Sequence, residues 1–345
     1  VQTVGKREPM DGDLGRFYDA IENPRKTRNE LPILRGDDLR SYMRDVRERT
    51  LDVLGQVDLS PDGADPVLRD GFVYELILAH EYQHNETMLQ LLQMVESYDP
   101  GEGTGRNDAI SEELPTEAPE MVRCDGGEVT IGDGGEGFAY DNERPLHTIE
   151  LAPFELDRAP VSNGQFANFI EETGAEVPLY WERDGEGGWI DTAMGERHDI
   201  DPERVVVHVD YEQAEGFAEW AGKRLPTEFE WEAAAAGSDS ARANLDHLAY
   251  GTTSSGAYGD APSHVGAVQM LGDVWEWTSS DFLAYPGFEA FPYEEYSKVF
   301  FGPEHKVLRG GAWATRTRTI RTSFRNWDLP ERRQIFSGIR CARDA

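Results

Sequence analysis

The feature that most constrains this chain is a change of character across residues 97–120. There the text SYDPGEGTGRNDAISEELPTEAPE is rich in Gly, Pro and acidic residues and has no apolar period. Such a stretch can neither bury a hydrophobic face nor hold a helix, so it reads as a linker over residues 98–118 between two domains, 1–97 and 119–345. Upstream, apolar residues recur at helical spacing: Leu14, Phe17 and Ile21; Leu39, Met43, Val46 and Leu51; then Phe72, Leu76, Ala79, Met88, Leu92 and Val95. Three amphipathic helices are expected, one short of a four-helix bundle. Asp11 or Asp13 and Asp37 or Asp38 are the expected N-caps of the first two, and Pro61–Pro66 separates the second from the third.

Downstream, short apolar segments (GGEVTIG, HTIELAPFELD, KVLRGG, SGIRCAR) alternate with Gly-rich turns, and helical stretches are expected at 162–172 and 211–221. Eight Trp and 35 Gly in the whole chain suit an irregular α+β domain in which loops outweigh regular elements. Asp and Glu number 66 against 33 Lys and Arg, a formal charge of −33, and Lys occurs only at positions 6, 26, 223, 298 and 306. A surface this negative repels phosphate backbones and anionic lipid, so neither nucleic acid nor membrane is expected as a partner; it suits high salt. No window approaches the ~20 apolar residues of a spanning helix, and VQTVGKREPMDGD lacks a secretory core, which points to the cytoplasm. Cys124 and Cys341 are too few for a disulfide framework or a Cys-rich metal site. Nothing in the composition speaks to oligomeric state.

The sharpest local signal is His80-Glu81-Tyr82-Gln83-His84 within the third helical pattern. At i and i+4 the two imidazoles share a face and can reach one metal ion. The spelling H-E-x-x-H also matches zinc peptidases, with Glu81 as general base, but an extended ligand pattern would place Gly at 87 and His at 90, where Thr87 and Gln90 stand. Glu86 is a further polar neighbour. Alone, the motif reads equally as two hydrogen-bonded helix histidines. His147, His198, His208, His247, His264 and His305 lack ligand spacing and read as structural or surface residues.

Context comes from five ordered segments: Phe154–Phe166 (FELDRAPVSNGQF), Arg224–Trp231 (RLPTEFEW), Gly272–Trp277 (GDVWEW), Val307–Trp313 (VLRGGAW) and Gly338–Ala342 (GIRCA). Together they resemble the sulfatase-modifying-factor (formylglycine-generating enzyme) domain, a variant of the C-type-lectin fold, over roughly residues 119–345. Formylglycine generation in that family uses a close pair of reactive cysteines near the C-terminus, and Cys124 lies far from Cys341 in sequence. With an N-terminal helical part that resembles the DinB-like fold and carries HxxxH, the whole is similar to the ergothioneine sulfoxide synthases, the hercynine oxygenases (EgtB). Ser323–Gly338 (SFRNWDLPERRQIFSG), and Trp277–Phe282 followed by Tyr285–Phe288, are similar to actinobacterial members.

That resemblance implies a non-haem iron(II) held by His80 and His84, with hercynine, γ-glutamylcysteine and O2 as substrates. It implies that Gln83, Asn326 and Trp327 hold hercynine, whose trimethylammonium group donates no hydrogen bond and is best placed against aromatic faces. Asp328 and Arg332 would grip the zwitterionic glutamyl end of the thiol, and Arg25 and Arg28 its carboxylates, since guanidinium forks pair bidentately with carboxylates. Taken alone, Trp327 reads as core packing, and Arg25 and Arg28 as surface ion pairs. Tyr293 and Tyr296 match the family's tyrosine pair, Tyr293 as the catalytic acid; a phenol is protonated at neutral pH and can donate. The two imidazoles are expected to face a pocket roofed by the Asn326–Asp328 segment. The family's iron has a third histidine on an earlier helix, and the first histidine here is His80, so a further N-terminal segment with that ligand is expected, which would also close the bundle. The alternatives are a related synthase using cysteine or another chalcogen donor, of ovothiol or selenoneine type, an HExxH zinc peptidase, and a lectin-like binding module.

Overall fold

The computed structural model describes residue 2 and residues 4–17, 30–95, 120–135, 137–195 and 197–345. Val1–Glu75 forms one compact unit and Leu76–Ala345 a second. In the first unit, α1 (Gly12–Phe17) begins at Asp11, whose carboxylate accepts from the backbone N–H of Asp13 (2.9 Å) and Leu14 (3.3 Å). Asp11 is thus the cap of the two candidates; Ile21 lies outside the described residues. The helix α2 (Gly36–Leu54) corrects its expected start: Arg35 stands at the cap with no side-chain hydrogen bond, while Asp37 and Asp38 occupy the first turn. There they complement the helix dipole instead of capping an N–H. Val53 is buried on α2, whereas Met43 is 60% and Leu51 53% exposed. After the Pro61–Pro66 turn, α3 (Phe72–Gln93) runs from the first unit into the second.

Within the second unit α3 buries one stripe, Leu76, Ala79, Glu86, Leu89, Gln90 and Gln93, and leaves Ile77, Met88 and Leu91 exposed. The remainder is α+β. β1 (Met121–Cys124), β2 (Gly127–Ile131), β3 (His147–Leu151) and β4 (Phe154–Asp157) precede α4 (Asn163–Thr173). β5 (Trp181–Arg183), β6 (Trp189–Asp191) and β7 (His198–Asp199) precede α5 (Tyr211–Trp220) and α6 (Glu228–Ala235). β8 (Trp275–Phe282), β9 (Gly302–Arg309), β10 (Asn326–Asp328), β11 (Ser337–Gly338) and β12 (Ala342–Asp344) complete the chain. The sheet that matters for the site has the order β10-β9-β8-β11, with Trp327 opposite Val307 and Asp328 opposite Lys306. A second sheet, β1-β4-β12, brings both chain ends of this domain onto β4.

Three helices start with reciprocal caps: Ser162 with Gln165, Asp210 with Gln213, and Thr227 with Glu230. The last marks α6, which sequence periodicity overlooks because EFEWEAAA is buried nearly all round. So few long strands leave many loop carbonyls to satisfy, and buried arginines do it. Arg309 pairs with Glu232 and donates to the carbonyls of Ser323 and Phe324 (both 3.0 Å). Arg325 pairs with Glu228 (2.7 Å) and donates to the Asn142 carbonyl (2.7 Å). Arg340 pairs with Glu276 (2.9 Å) and donates to Asp157 and Val268 carbonyls (both 2.9 Å). One planar guanidinium carries five donors, so a single side chain can neutralise a carboxylate and still stitch two loops.

Candidate active site

His80 and His84 stand on successive turns of α3 with ring centroids 4.4 Å apart at 71°. Both residues are exposed, yet neighbouring side chains desolvate the His80 ring, and with His84 beside it this pushes its pKa below the usual imidazole value. His80 is therefore a neutral nitrogen donor near neutral pH, the form that binds metals. Among the described residues no three His, Cys, Asp or Glu gather as a metal site. The described donor set fits as two imidazole ligands of a larger set.

The residue of this turn that reaches the tyrosines is Gln83, whose Nε2 donates to the Tyr296 hydroxyl at 3.0 Å. At 100° per residue Gln83 shares the buried stripe with Ala79 and Glu86, while His80 and His84 fall on its flank. Gln83 connects this turn through Tyr296 to Trp327 of the Asn326–Asp328 segment, and His80 and His84 precede and follow it on the same helix. Three residues on, Glu86 is buried and accepts from Trp275 Nε1 (2.7 Å) and Thr315 Oγ1 (2.8 Å). Burial drives the Glu86 pKa up, and the two donors oppose that. Gln83 and Glu86 thus fix the rotation of α3 about its axis.

Tyr296 leads on to Trp327. Its ring and the indole are perpendicular with centroids 5.8 Å apart, Trp327 stacks on Phe282 (4.3 Å, 6°), and Phe300 tilts against it at 5.7 Å. Trp327 is only partly buried, so it is not simply a core residue. Asn326 precedes it on β10, and Asp328 follows, its carboxylate 3.7 Å from Arg332 Nε and accepting from the Leu329 N–H at 2.9 Å. Burial raises the Asp328 pKa, against the pull of the Arg332 guanidinium. Arg332 Nε is buried without a hydrogen-bond partner among the described residues. Tyr293, 43% exposed, meets Tyr296 edge-on at 6.5 Å; burial and the nearby Asp141 charge raise its pKa, so its phenol stays protonated. The structure brings together Gln83, Tyr296, Tyr293 and Trp327, and sets Arg332 beside Asp328, the last residue of β10. Arg25, Arg28 and the 98–118 linker lie outside the described residues.

Sequence reasoning overlooked Phe282, Phe300 and Tyr140, which stacks on Tyr296 at 4.3 Å and 9°. No local signal announces them, since each meets its partner through tertiary folding. Cys124 ends β1 and Cys341 immediately precedes β12, the strands on either side of β4, and both are buried. Burial pushes the Cys124 thiol up to about 11 and the Cys341 thiol well above its ordinary value, so neither is a reactive thiolate.

Residues 107–345 match the sulfatase-modifying factor enzyme 1-like domain. The hercynine oxygenase of Mycolicibacterium smegmatis is 40% identical over 369 residues, covering 96% of this chain and 84% of that protein. The hercynine oxygenase of Mycobacterium tuberculosis is 39% identical, covering 95% of this chain and 83% of its own length. Among solved structures, PvdO from Pseudomonas aeruginosa superposes with a TM-score of 0.50 at 25% identity, over 68% of this chain and 99% of PvdO. No helix among the described residues is long and apolar enough to cross a membrane. With a DinB-like helical part ahead of a C-type-lectin-like sulfatase-modifying-factor domain, the chain belongs to the hercynine oxygenase family and is an oxygenase-type oxidoreductase.

Proposed function

We propose that this enzyme is a cytoplasmic iron(II)- and O2-dependent sulfoxide synthase that joins the sulfur of γ-glutamylcysteine to the imidazole C2 of hercynine in ergothioneine biosynthesis. The observation that carries the reading is the 3.0 Å bond from Gln83, inside the HEYQH turn, to Tyr296, which in turn packs on Trp327. It ties the metal-ligand turn to the tyrosine pair and to the aromatic segment. Overall the reaction balances as thiol S–H plus imidazole C–H plus O2 giving the S-oxide and one water.

His80 and His84 would hold the iron, for which imidazole is as suitable as it is for zinc; the family relationship, not ligand type, selects iron. When bound, the iron supplies the stepwise reduction of O2 that closed-shell side chains cannot perform. The protein's own residues do the rest. Trp327 with Tyr296 and Phe300 offers aromatic faces to the trimethylammonium group of hercynine, and Gln83 and Asn326 add polar contacts. Arg332 would meet the α-carboxylate of the glutamyl group with its buried Nε, while Asp328 accepts from the adjacent ammonium. Arg25 and Arg28 would take the remaining carboxylate. Tyr293 holds a proton at its hydroxyl and delivers it where oxygen is reduced; the packed aromatic rings exclude water that would otherwise compete.

The test loads the protein anaerobically with iron(II), adds both substrates, admits O2 and reads product mass. The expected product is the sulfoxide conjugate of the two substrates. Oxidation of the thiol alone to a sulfinate by the wild-type chain refutes the assignment, and free cysteine or a selenol consumed in preference to γ-glutamylcysteine refutes the proposed donor. Arg332→Lys should raise KM for γ-glutamylcysteine about tenfold while changing KM for free cysteine little. Peptide cleavage abolished by Glu81→Gln would instead mark a peptidase.

A further inference from the structure

The segment Phe291–Ser297 carries both tyrosines, and its middle is exposed while its end is fully buried at Ser297. Both ends of this bow meet one side chain from about 150 residues earlier. Asp141 accepts from the Ser297 hydroxyl with one oxygen and from the Phe291 N–H (3.2 Å) with the other. Next to it, Asn142 Nδ2 donates to the same Ser297 hydroxyl at 3.0 Å, and the Tyr140 ring lies flat on Tyr296.

The corner that presents these three residues is itself anchored. Glu143 accepts from the Tyr140 N–H (2.9 Å) and from Ser323 Oγ (2.8 Å), and pairs with Arg321 through Nε at 2.7 Å. The Asn142 carbonyl accepts from buried Arg325 at 2.7 Å. A rigid corner therefore grips a short exposed bow at both feet through a single carboxylate. We infer that Asp141 is the positioning residue of the tyrosine pair: by bonding Phe291 and Ser297 together it holds Tyr293 and Tyr296 at a fixed place beside Gln83 and Trp327. Asp141 bonds Phe291 and Ser297, not a reacting group. It acts through the loop, and a displacement of the phenols by about 1 Å is enough to cost on the order of a hundredfold in rate. The inference rests on the proposed function in taking Tyr293 as the proton donor.

Asp141→Asn keeps the side-chain size but leaves one acceptor for two donors; Ser297→Ala removes one donor; Ser297→Thr retains it. Hydrogen exchange on the intact folded chain should show residues 291–300 opening about tenfold faster in Asp141→Asn and Ser297→Ala, with β8 and β9 unchanged and Ser297→Thr close to wild type. With hercynine, γ-glutamylcysteine and iron(II), kcat should fall about tenfold or more in Asp141→Asn while both KM values stay within about twofold. Wild-type exchange rates in the segment overturn the tie. Faster exchange with unchanged kcat overturns the positioning role. Where Asp141→Asn fails to fold, Ser297→Ala decides by the same two readings. A wild-type chain that forms no sulfoxide refutes the proposed function instead, and exchange alone then decides whether Asp141 holds the loop.

Discussion

Glu86 offers a test of how α3 is held. Its two carboxylate oxygens take the Trp275 indole N–H (2.7 Å) and the Thr315 hydroxyl (2.8 Å), all three groups being buried. Glu86→Ala leaves two buried donors without an acceptor at about 1–3 kcal/mol each, and returns about 0.4 kcal/mol through the better helix propensity of Ala. The expected loss is about 2–6 kcal/mol. Glu86→Gln is a sharper probe. Its amide oxygen can keep the Trp275 bond, and its NH2 can donate to the second lone pair of Thr315 Oγ1, which already accepts from the Ala312 N–H at 2.9 Å. Only the Thr315 hydroxyl proton then loses its acceptor, so the loss should be about 1 kcal/mol. Urea unfolding followed by tryptophan fluorescence and by far-UV circular dichroism, with coincident transitions and unchanged slope, measures both. A Glu86→Ala midpoint within about 0.5 kcal/mol of wild type, or Gln as damaging as Ala, would refute the reasoning.

Further outcomes follow from the charges and the buried groups. His208 is buried, its Nδ1–H donating to the Ile335 carbonyl at 3.0 Å, and burial pushes its pKa from 6.5 down to about 4. Because the unfolded chain takes up that proton first, its contribution is complete above pH 6.5 and is lost as pH falls through about 4; the loss is about 3 kcal/mol, and His208→Asn should show correspondingly less acid destabilisation between pH 7 and pH 4. Equal acid sensitivity in both proteins counts against this. Cys124 and Cys341 should resist alkylation at about pH 8 until urea unfolds the domain, as mass spectrometry would record; rapid labelling of the native protein would contradict their burial. With a formal charge of −33, self-repulsion should relax as salt shortens the screening length from about 10 Å at 0.1 M to about 3 Å at 1 M, so Tm should climb over that range; a flat response would show the charges already balanced by local pairing.

The sequence by itself determined three helical segments at nearly their observed places, the i, i+4 spacing of His80 and His84, and the ordered motifs that mark the family. These are local properties: periodicity, caps and short strings survive whatever the rest of the chain does. Tertiary structure alone decided which flank of α3 packs, so that Gln83 and Glu86 bond to Tyr296, Trp275 and Thr315. It also gathered Phe282, Tyr296 and Phe300 around Trp327, and set Asp141 under a loop about 150 residues away. Those partners are chosen by burial and hydrogen-bond satisfaction over the whole domain, where a carboxylate must find donors and a ring must find faces wherever the fold supplies them, and no local period records that choice.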